Sequence, residues 1–470
     1  MNKDASGKLA ARNEARSHRP TSSAFIKYIG SSWAADKTPL PKKHKVAAFA
    51  AKRRAAVAKA FPGHLIVIAA GESKPRSNDA EYRYRPHSAF AHLTGWGSGT
   101  VAGSVLVIDA RGKSPKSTLY FRETAGKDTD EFFANSAIGE FWVGSRPGLK
   151  EVKALLDINT KSIKDFEKDL AAVDKKKILD LEKSEALVEF VSELRLIKDS
   201  YEIEEMKKAV AASIKGFENV VKSLKKATKH PRGERVVEAA FFAAARTDGN
   251  DLGYETIAAS GEHACTLHWI INDGPVKPGD LILIDAGVEV DSLYTADVTR
   301  TLPVNGKFSK IQKEVYLAVL EAADAVFAMA KPGVTYAEMH RTAMKVIAEK
   351  TKKWGFYKGS VEESLQLENQ WHRRWMIHGT GHHLGLDVHD CAQARREMYH
   401  DAVLKEGMIF TIEPGLYFHK NDLLVPKEFR GIGVRIEDDV LVTKNGVLNL
   451  TGKLPRKPKD IEAWMKKVRG

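Results

Sequence analysis

Read for the alternation of apolar and polar positions, the chain changes character several times. Residues 1–44 carry few large apolar side chains and no helical or strand period, which predicts a lead without a core of its own. From about Lys45 the text turns helical in "KVAAFAAKRRAAVAKAF". It reads as strand in "HLIVIAAG", and again in "GSVLVID" after the aromatic stretch "YRYRPHSAFAHLTGW". Helix and strand signals alternate to about residue 165, as expected of an α/β domain. The charged, helical text "DKKKILDLEKSEALVEFVSELRLIKDS" follows, and a domain boundary is predicted near residues 185–198.

Three helices of the second part announce their starts. Asp199 with Glu202, Ser309 with Gln312 and Thr335 with Glu338 each pair an N-cap side chain with an N3 acceptor. The helix after Ser309 sets Ile311, Val315, Ala318 and Ala322 on one face. Around these helices lie strand-like runs: "LILIDAG", "ADVTRTLPV", "MIFTIEPG" and "GVRIEDDVLVT". The second part therefore reads as α+β with a largely antiparallel sheet. The expected division is a basic lead over 1–44, a first domain over 45–190, a second over 194–455 and a basic tail over 456–470.

Composition narrows the class. A chain of 470 residues suggests two or three domains, and 43% hydrophobic with 29% charged residues suits a soluble globular protein. No apolar run approaches the roughly 20 residues of a membrane span. The N-terminus lacks the apolar stretch of a secretory signal, so the cytoplasm is the expected location. Cys265 and Cys391 are the only cysteines, which excludes a disulfide framework and a thiolate metal cluster; both read as buried thiols. The net charge of +13 is concentrated at the ends: +11 in residues 1–60, +5 in residues 451–470 and −3 between them. Solvated tails are the expectation, with nucleic-acid contact through them as the alternative.

Asp285 ends the apolar run "LILID", and Asp297 sits in the next strand-like run. A hairpin turning over Val290-Asp291-Ser292 would set these acids directly opposite one another, where like charges repel. Two semi-buried carboxylates at that spacing share a proton or a cation. Glu413 and Glu437 add two more acids at strand runs, and Arg435 shares a strand face with Glu437. Between them "HGTGHHLGLDVHD" carries His378, His382, His383 and His389 on a glycine-broken, non-helical segment. Strand-borne acids beside one imidazole suit Mn²⁺, Fe²⁺, Co²⁺ or a carboxylate-bridged Zn²⁺ pair better than a structural zinc.

The blocks "SGEHACTLHW", "GDLILIDAGVEVDSLYTADVTRTLPVNGKFS", "HGTGHHLGLDVHD", "TIEPGLYF" and "GVRIEDDVLVT" together resemble the aminopeptidase P and prolidase branch of the pita-bread metallopeptidases. That fold is shared with methionine aminopeptidase and creatinase. "YRYRPHSAFAHLTGW" and "FWVGSRPG" resemble the smaller, creatinase-like N-terminal α/β domain of the same branch. The resemblance implies two divalent metal ions, Mn²⁺ before Zn²⁺, Co²⁺ or Fe²⁺, held by Asp285, Asp297, His382, Glu413 and Glu437. Asp297 and Glu437 would bridge them, and a metal-bridging hydroxide would be the nucleophile. Glu413 would shuttle the proton; His268, His378 and His389 would bind the substrate and stabilise the intermediate. Arg435 would support the acids, and Tyr417 would lie near the substrate. The implied activity is removal of an N-terminal residue that precedes proline. A dipeptide-only prolidase and a non-enzymatic pita-bread binding protein are the alternatives. A homo-oligomer, dimer or tetramer, is implied by the same resemblance.

Overall fold

Two continuous apolar runs build the centre of the first unit. "LIVIA" and "VLVID" form strands β1 (Leu65–Ala69) and β2 (Val105–Asp109), in which four of five residues are buried. A run without alternation is what a strand covered on both faces requires. The computed structural model describes residues 20, 22–78, 80–135 and 138–470, and the chain divides into two units, Met1–Leu187 and Val188–Gly470.

In the first unit, β1 and β2 are joined by β3 (Lys116–Phe121), β4 (Asn159–Ser162) and β5 (Ile178–Asp180) in the order β4-β3-β2-β1-β5. The inner pairs are antiparallel, and the two edge strands pair parallel to their neighbours. Part of the expected unstructured lead, residues 1–19 and 21, lies outside the described residues. The remainder of that lead is not structureless. Ser23–Ile29 forms helix α1, capped by Ser22, and Phe25 and Trp33 meet Phe133 and Phe132 edge-on at 5.5 and 5.6 Å. Helix α2 (Val46–Ala60) buries Arg53 and Arg54, which donate to the carbonyls of His92 and Leu93 at the end of the helix Ser88–Thr94. Cations suit that end of a helix. Gly95 closes it at φ +72°, where a Cβ would fall 2.4 Å from Val46.

The second unit is built from helices packed on antiparallel strand pairs, the α+β plan expected. The helices are α3 (Ser200–Ala227), α4 (Gly233–Asp248), α5 (Lys310–Met329), α6 (Tyr336–Lys353) and α7 (Pro458–Arg469). Asp199, Ser309 and Thr335 each form the anticipated capping box. One sheet is β8-β7-β6, with β6 Ile257–Ser260, β7 Leu281–Asp285 and β8 Thr299–Pro303. A second pairs β9 (Ile409–Ile412) with β12 (Asp438–Thr443) and β13 (Gly446–Asn449). A third pairs β10 (Gly415–Phe418) with β11 (Ile432–Arg435). Cys265 and Cys391 are both buried free thiols.

Three expectations need correction. The hairpin of β7 and β8 pairs Asp285 with Thr299, not with Asp297. The turn runs one residue later than assumed, with Leu293 left-handed at φ +71° and Val290 N–H bonded to Tyr294 O. The register shift is two residues, so Asp297 becomes the diagonal neighbour of Asp285 and keeps the same face. The run "GVRIEDDVLVT" is two strands, β11 and β12, and Glu437 occupies the break between them. Finally, the basic C-terminal segment is no solvated tail: in α7, Ile461 and Met465 are fully buried in the core.

Candidate metal centre

The ends of the strands of the second unit converge on a cavity of about 490 Å³. Asp285 is the last residue of β7, Asp297 lies two residues before β8, Glu413 directly follows β9, and Glu437 follows β11. Strand ends offer rigid backbone with side chains free to turn inward. The histidine segment is extended and laced to β9: Thr411 N–H donates to His382 O at 2.9 Å, His382 N–H donates to Thr411 Oγ1 at 3.1 Å, and Glu413 N–H reaches Thr380 O at 2.8 Å.

His382 Nε2 stands 3.1 Å from Asp297, 3.6 Å from Glu413 and 3.9 Å from Glu437. Its Nδ1 lies 3.2 Å from the His383 carbonyl, which can only accept, so in the neutral ring Nδ1 carries the proton and Nε2 offers its lone pair to the cavity. The adjacent His383 is 1% exposed, with its ring 4.7 Å from that of Tyr399. The Tyr254 hydroxyl lies between Asp285 (2.6 Å) and Asp297, bonded to both. Thr299 donates to Glu437 at 2.7 Å.

Arg435 acts on Glu437 through its charge, and its direct contacts lie elsewhere. Its guanidinium reaches Asp285 at 2.5 Å, Tyr417 Oη at 3.0 Å and Thr299 Oγ1 at 3.1 Å. The His378 Nδ1 sits 2.7 Å from Gly379 O and must donate to it in the neutral ring, leaving Nε2 to accept from Tyr417 at 2.7 Å. Arg435, Tyr417 and His378 thus form one directed chain. His268 and His389 are exposed and line the cavity, His389 edge-on to His382 at 4.4 Å.

The charges do not balance. Burial, then repulsion from Asp297, raises Glu437 well above the usual carboxylate range, and burial lifts Glu413 to about 7. Burial also raises Asp285, against the pull of Arg435. Burial opposes charge on His382, yet contact with Asp297 and attraction by Glu413 bring it up to about 9; Asp297 is lowered in return. Positive charge is favoured at the centre of the cluster, beside Asp297 and Glu413. Burial and Arg435 hold His378 down to about 3, so it is neutral at any physiological pH. Asp297, His382 and Glu437 offer donor atoms all within 4.8 Å of one another. A buried, oxygen-rich set with a positive-charge deficit fits divalent cations.

Several residues that build the site were not visible in the sequence. Glu234, at the start of α4, is fully buried and accepts from Ser260 N–H (2.8 Å), His263 Nδ1 (2.8 Å), Trp269 Nε1 (2.9 Å) and Gly274 N–H (2.7 Å). It thereby fixes the loop that carries His268. Asp439, also fully buried, accepts from the Asp297 N–H at 3.2 Å. The pair "DD" after Glu437 was a signal for Asp439; Tyr254, six residues before "SGEHACTLHW", and Glu234, farther upstream, belong to no motif and had none.

Comparison with known proteins agrees with this geometry. The profile of metallopeptidase family M24 matches residues 204–444, and that of the aminopeptidase P N-terminal domain matches residues 50–179. The chain is 45% identical over 441 residues to Xaa-Pro aminopeptidase 1 of Streptomyces coelicolor, covering 90% of this chain and 88% of the relative. It is 31% identical to the Xaa-Pro aminopeptidase of Escherichia coli, over 89% and 97% of the two chains. Aminopeptidase P from E. coli with the inhibitor Pro-Leu superposes with a TM-score of 0.78 at 28% identity, over 91% of this chain and all of that one. A zinc-substituted form of the same enzyme, in complex with product, superposes equally well at 0.78.

Proposed function

The chain belongs to metallopeptidase family M24, and from that premise we propose that it is an Xaa-Pro aminopeptidase, hydrolysing the bond between an N-terminal residue and a following proline. The observation that carries the reading is the meeting of Asp285, Asp297, His382, Glu413 and Glu437 around one cavity in a chain matched over about nine-tenths of its length by Xaa-Pro aminopeptidases. The family implies divalent metal ions, and these five residues would hold them; we take Mn²⁺ as the working cation on the oxygen-rich donor set. Such ions, when bound, lower the pKa of water and polarise a carbonyl.

The remaining chemistry falls to the chain's own groups. Glu413 is the proton carrier: its carboxylate faces the cavity, 3.6 Å from His382 Nε2, within reach of a substrate held there. His268 and His389 face the cavity as donors for the substrate carbonyl, and burial with the nearby His382 lowers His389 toward its neutral form. His378 works through Tyr417 and Arg435, holding the Asp285 side of the cluster in place. The target bond lacks the N–H that ordinary peptidase clefts grip, so recognition must come from the carbonyl, the free amine and the proline ring. A cytoplasmic homo-oligomer, dimer or tetramer, completes the reading, supported by the family likeness. No helix among the described residues is long and apolar enough to cross a membrane.

The test is a panel: the metal-loaded protein with an Xaa-Pro dipeptide, an Xaa-Pro-Yaa tripeptide and a Met-Ala-Ser peptide. Release of the first residue from the tripeptide, with Met-Ala-Ser untouched, is expected. Cleavage of the dipeptide alone would make it a prolidase. No cleavage with any divalent cation would make it a binding protein.

A further inference from the structure

The first unit contains a hollow of about 730 Å³ that the peptidase chemistry does not use. Its wall carries Arg54, Lys59, Lys113, Lys116 and Lys153 against a single acid, Asp157. The lysines are exposed, as solvated rim charges normally are. Arg54 is different: it is 6% exposed, has no carboxylate within ion-pair distance among the described residues, and donates a hydrogen bond to Leu93 O at 2.8 Å. A guanidinium has five N–H donors, so most of its capacity is unspent on the protein. Burial without a close counter-charge pulls it down to about 10, with Asp157 acting weakly the other way. Asp157 itself pairs at 3.2 Å with Lys43. A buried cation left without a carboxylate is costly unless something else supplies negative charge.

We propose that this hollow binds a small phosphate-bearing anion of nucleotide size, gripped by Arg54 on its inner wall and by the lysines at its rim. A guanidinium fork matches two oxygens of a phosphate, and several cations against one acid favour a multivalent anion over a single carboxylate. The hollow is far larger than one phosphate and lies within the range of roughly 300–1,000 Å³ seen for small-molecule sites. Apolar wall at Ala55 and Ile108 gives the non-ionic part of such a ligand a surface to lie on.

Titration calorimetry of the metal-loaded full-length protein with AMP tests this. Saturable one-to-one binding is expected, weakening as salt is raised. It should fall by at least about tenfold in Arg54→Met, the loss of one charge-assisted contact. Should that variant fail to fold, Lys116→Gln combined with Lys153→Gln alters only exposed positions and should weaken AMP to a similar degree. Peptidase activity should stay unchanged in both. Absence of binding, binding that both variants retain, or binding lost when the metals are chelated would overturn the proposal. So would capture of an acidic peptide in place of AMP.

Discussion

The segment from His378 to Asp390 takes part in two buried charge clusters built on opposite plans. At its far end, Asp390 is 1% exposed and meets two cations that are themselves buried, Arg195 at 3.0 Å and Lys198 at 2.9 Å. Arg195 also reaches Asp387 at 3.3 Å. A few residues earlier, His382 joins Asp285, Asp297, Glu413 and Glu437, with Arg435 as the only fixed cation in contact among the described residues. The first cluster closes on itself; next to Glu437 of the second, Asp438 is likewise matched, by Arg300 at 2.6 Å and Arg456 at 3.4 Å. The second leaves carboxylates that cannot all ionise. Closed clusters are scaffold: they pin the loops and need nothing added. The open cluster is stable as drawn only with protons on it, and the same geometry with cations is a hydrolytic centre.

Breaking the closed cluster should have the largest effect on stability. Lys198→Met leaves Asp390 buried with half its compensation, and should cost about 3–5 kcal/mol, read as a fall in the urea midpoint. A loss below about 1 kcal/mol would mean that the charge there is solvated after all, and the contrast would fail.

Titrating the open cluster should come next. In metal-free protein Glu413 is raised from 4.5 to about 7, burial raises Glu437 well above the usual carboxylate range, and His382 is raised from 6.5 to about 9. Groups whose pKa is higher in the folded state hold extra protons there, so their contribution is full at low pH and is lost as pH rises. The carboxyls lose theirs upward from about pH 4.5, and His382 loses its own between 6.5 and about 9. Below about pH 6.5 the buried neutral His340, His372, His378 and His383 oppose this loss, so metal-free protein should weaken chiefly above about pH 6.5, in denaturant melts at a series of pH values. Saturating metal should flatten the slope and add about 2.7 kcal/mol at a hundredfold excess over Kd. A pH profile identical with and without metal would contradict the assignment.

The smallest effect should come from Tyr254→Phe, which removes the hydroxyl shared by Asp285 and Asp297 and leaves the carboxylates in place. Activity should drop by about 10- to 100-fold, the usual scale for groups behind metal ligands. An unchanged rate would show that the two acids orient each other without it.

The same comparison explains what the sequence disclosed. The acids of the open cluster stood out because they break apolar strand text, as at Asp285 and Glu413, so their meeting could be anticipated from spacing and family likeness. The register of the β7–β8 hairpin could not. It depends on Leu293 adopting φ +71°, a conformation announced by glycine or asparagine but not by leucine. Tyr254 and Glu234 act across 31 and 40 residues, to Asp285 and Gly274, and nothing local marks them. Helix α7 was legible in principle, since Ile461 and Met465 stand four apart on a helical face, but the positive charge of the segment masked it. Charge sums describe solvation; periodicity describes burial, and where they conflict the packed helix followed periodicity.

The most direct test of the open cluster is metal stoichiometry, measured by plasma mass spectrometry on the wild type and on Asp297→Asn after identical loading with Mn²⁺ and desalting. The account predicts two ions per chain in the wild type, and in the variant fewer than one together with loss of Xaa-Pro-Yaa cleavage. Full cleavage by a metal-free wild type, or a variant that keeps both ions and its activity, would contradict it.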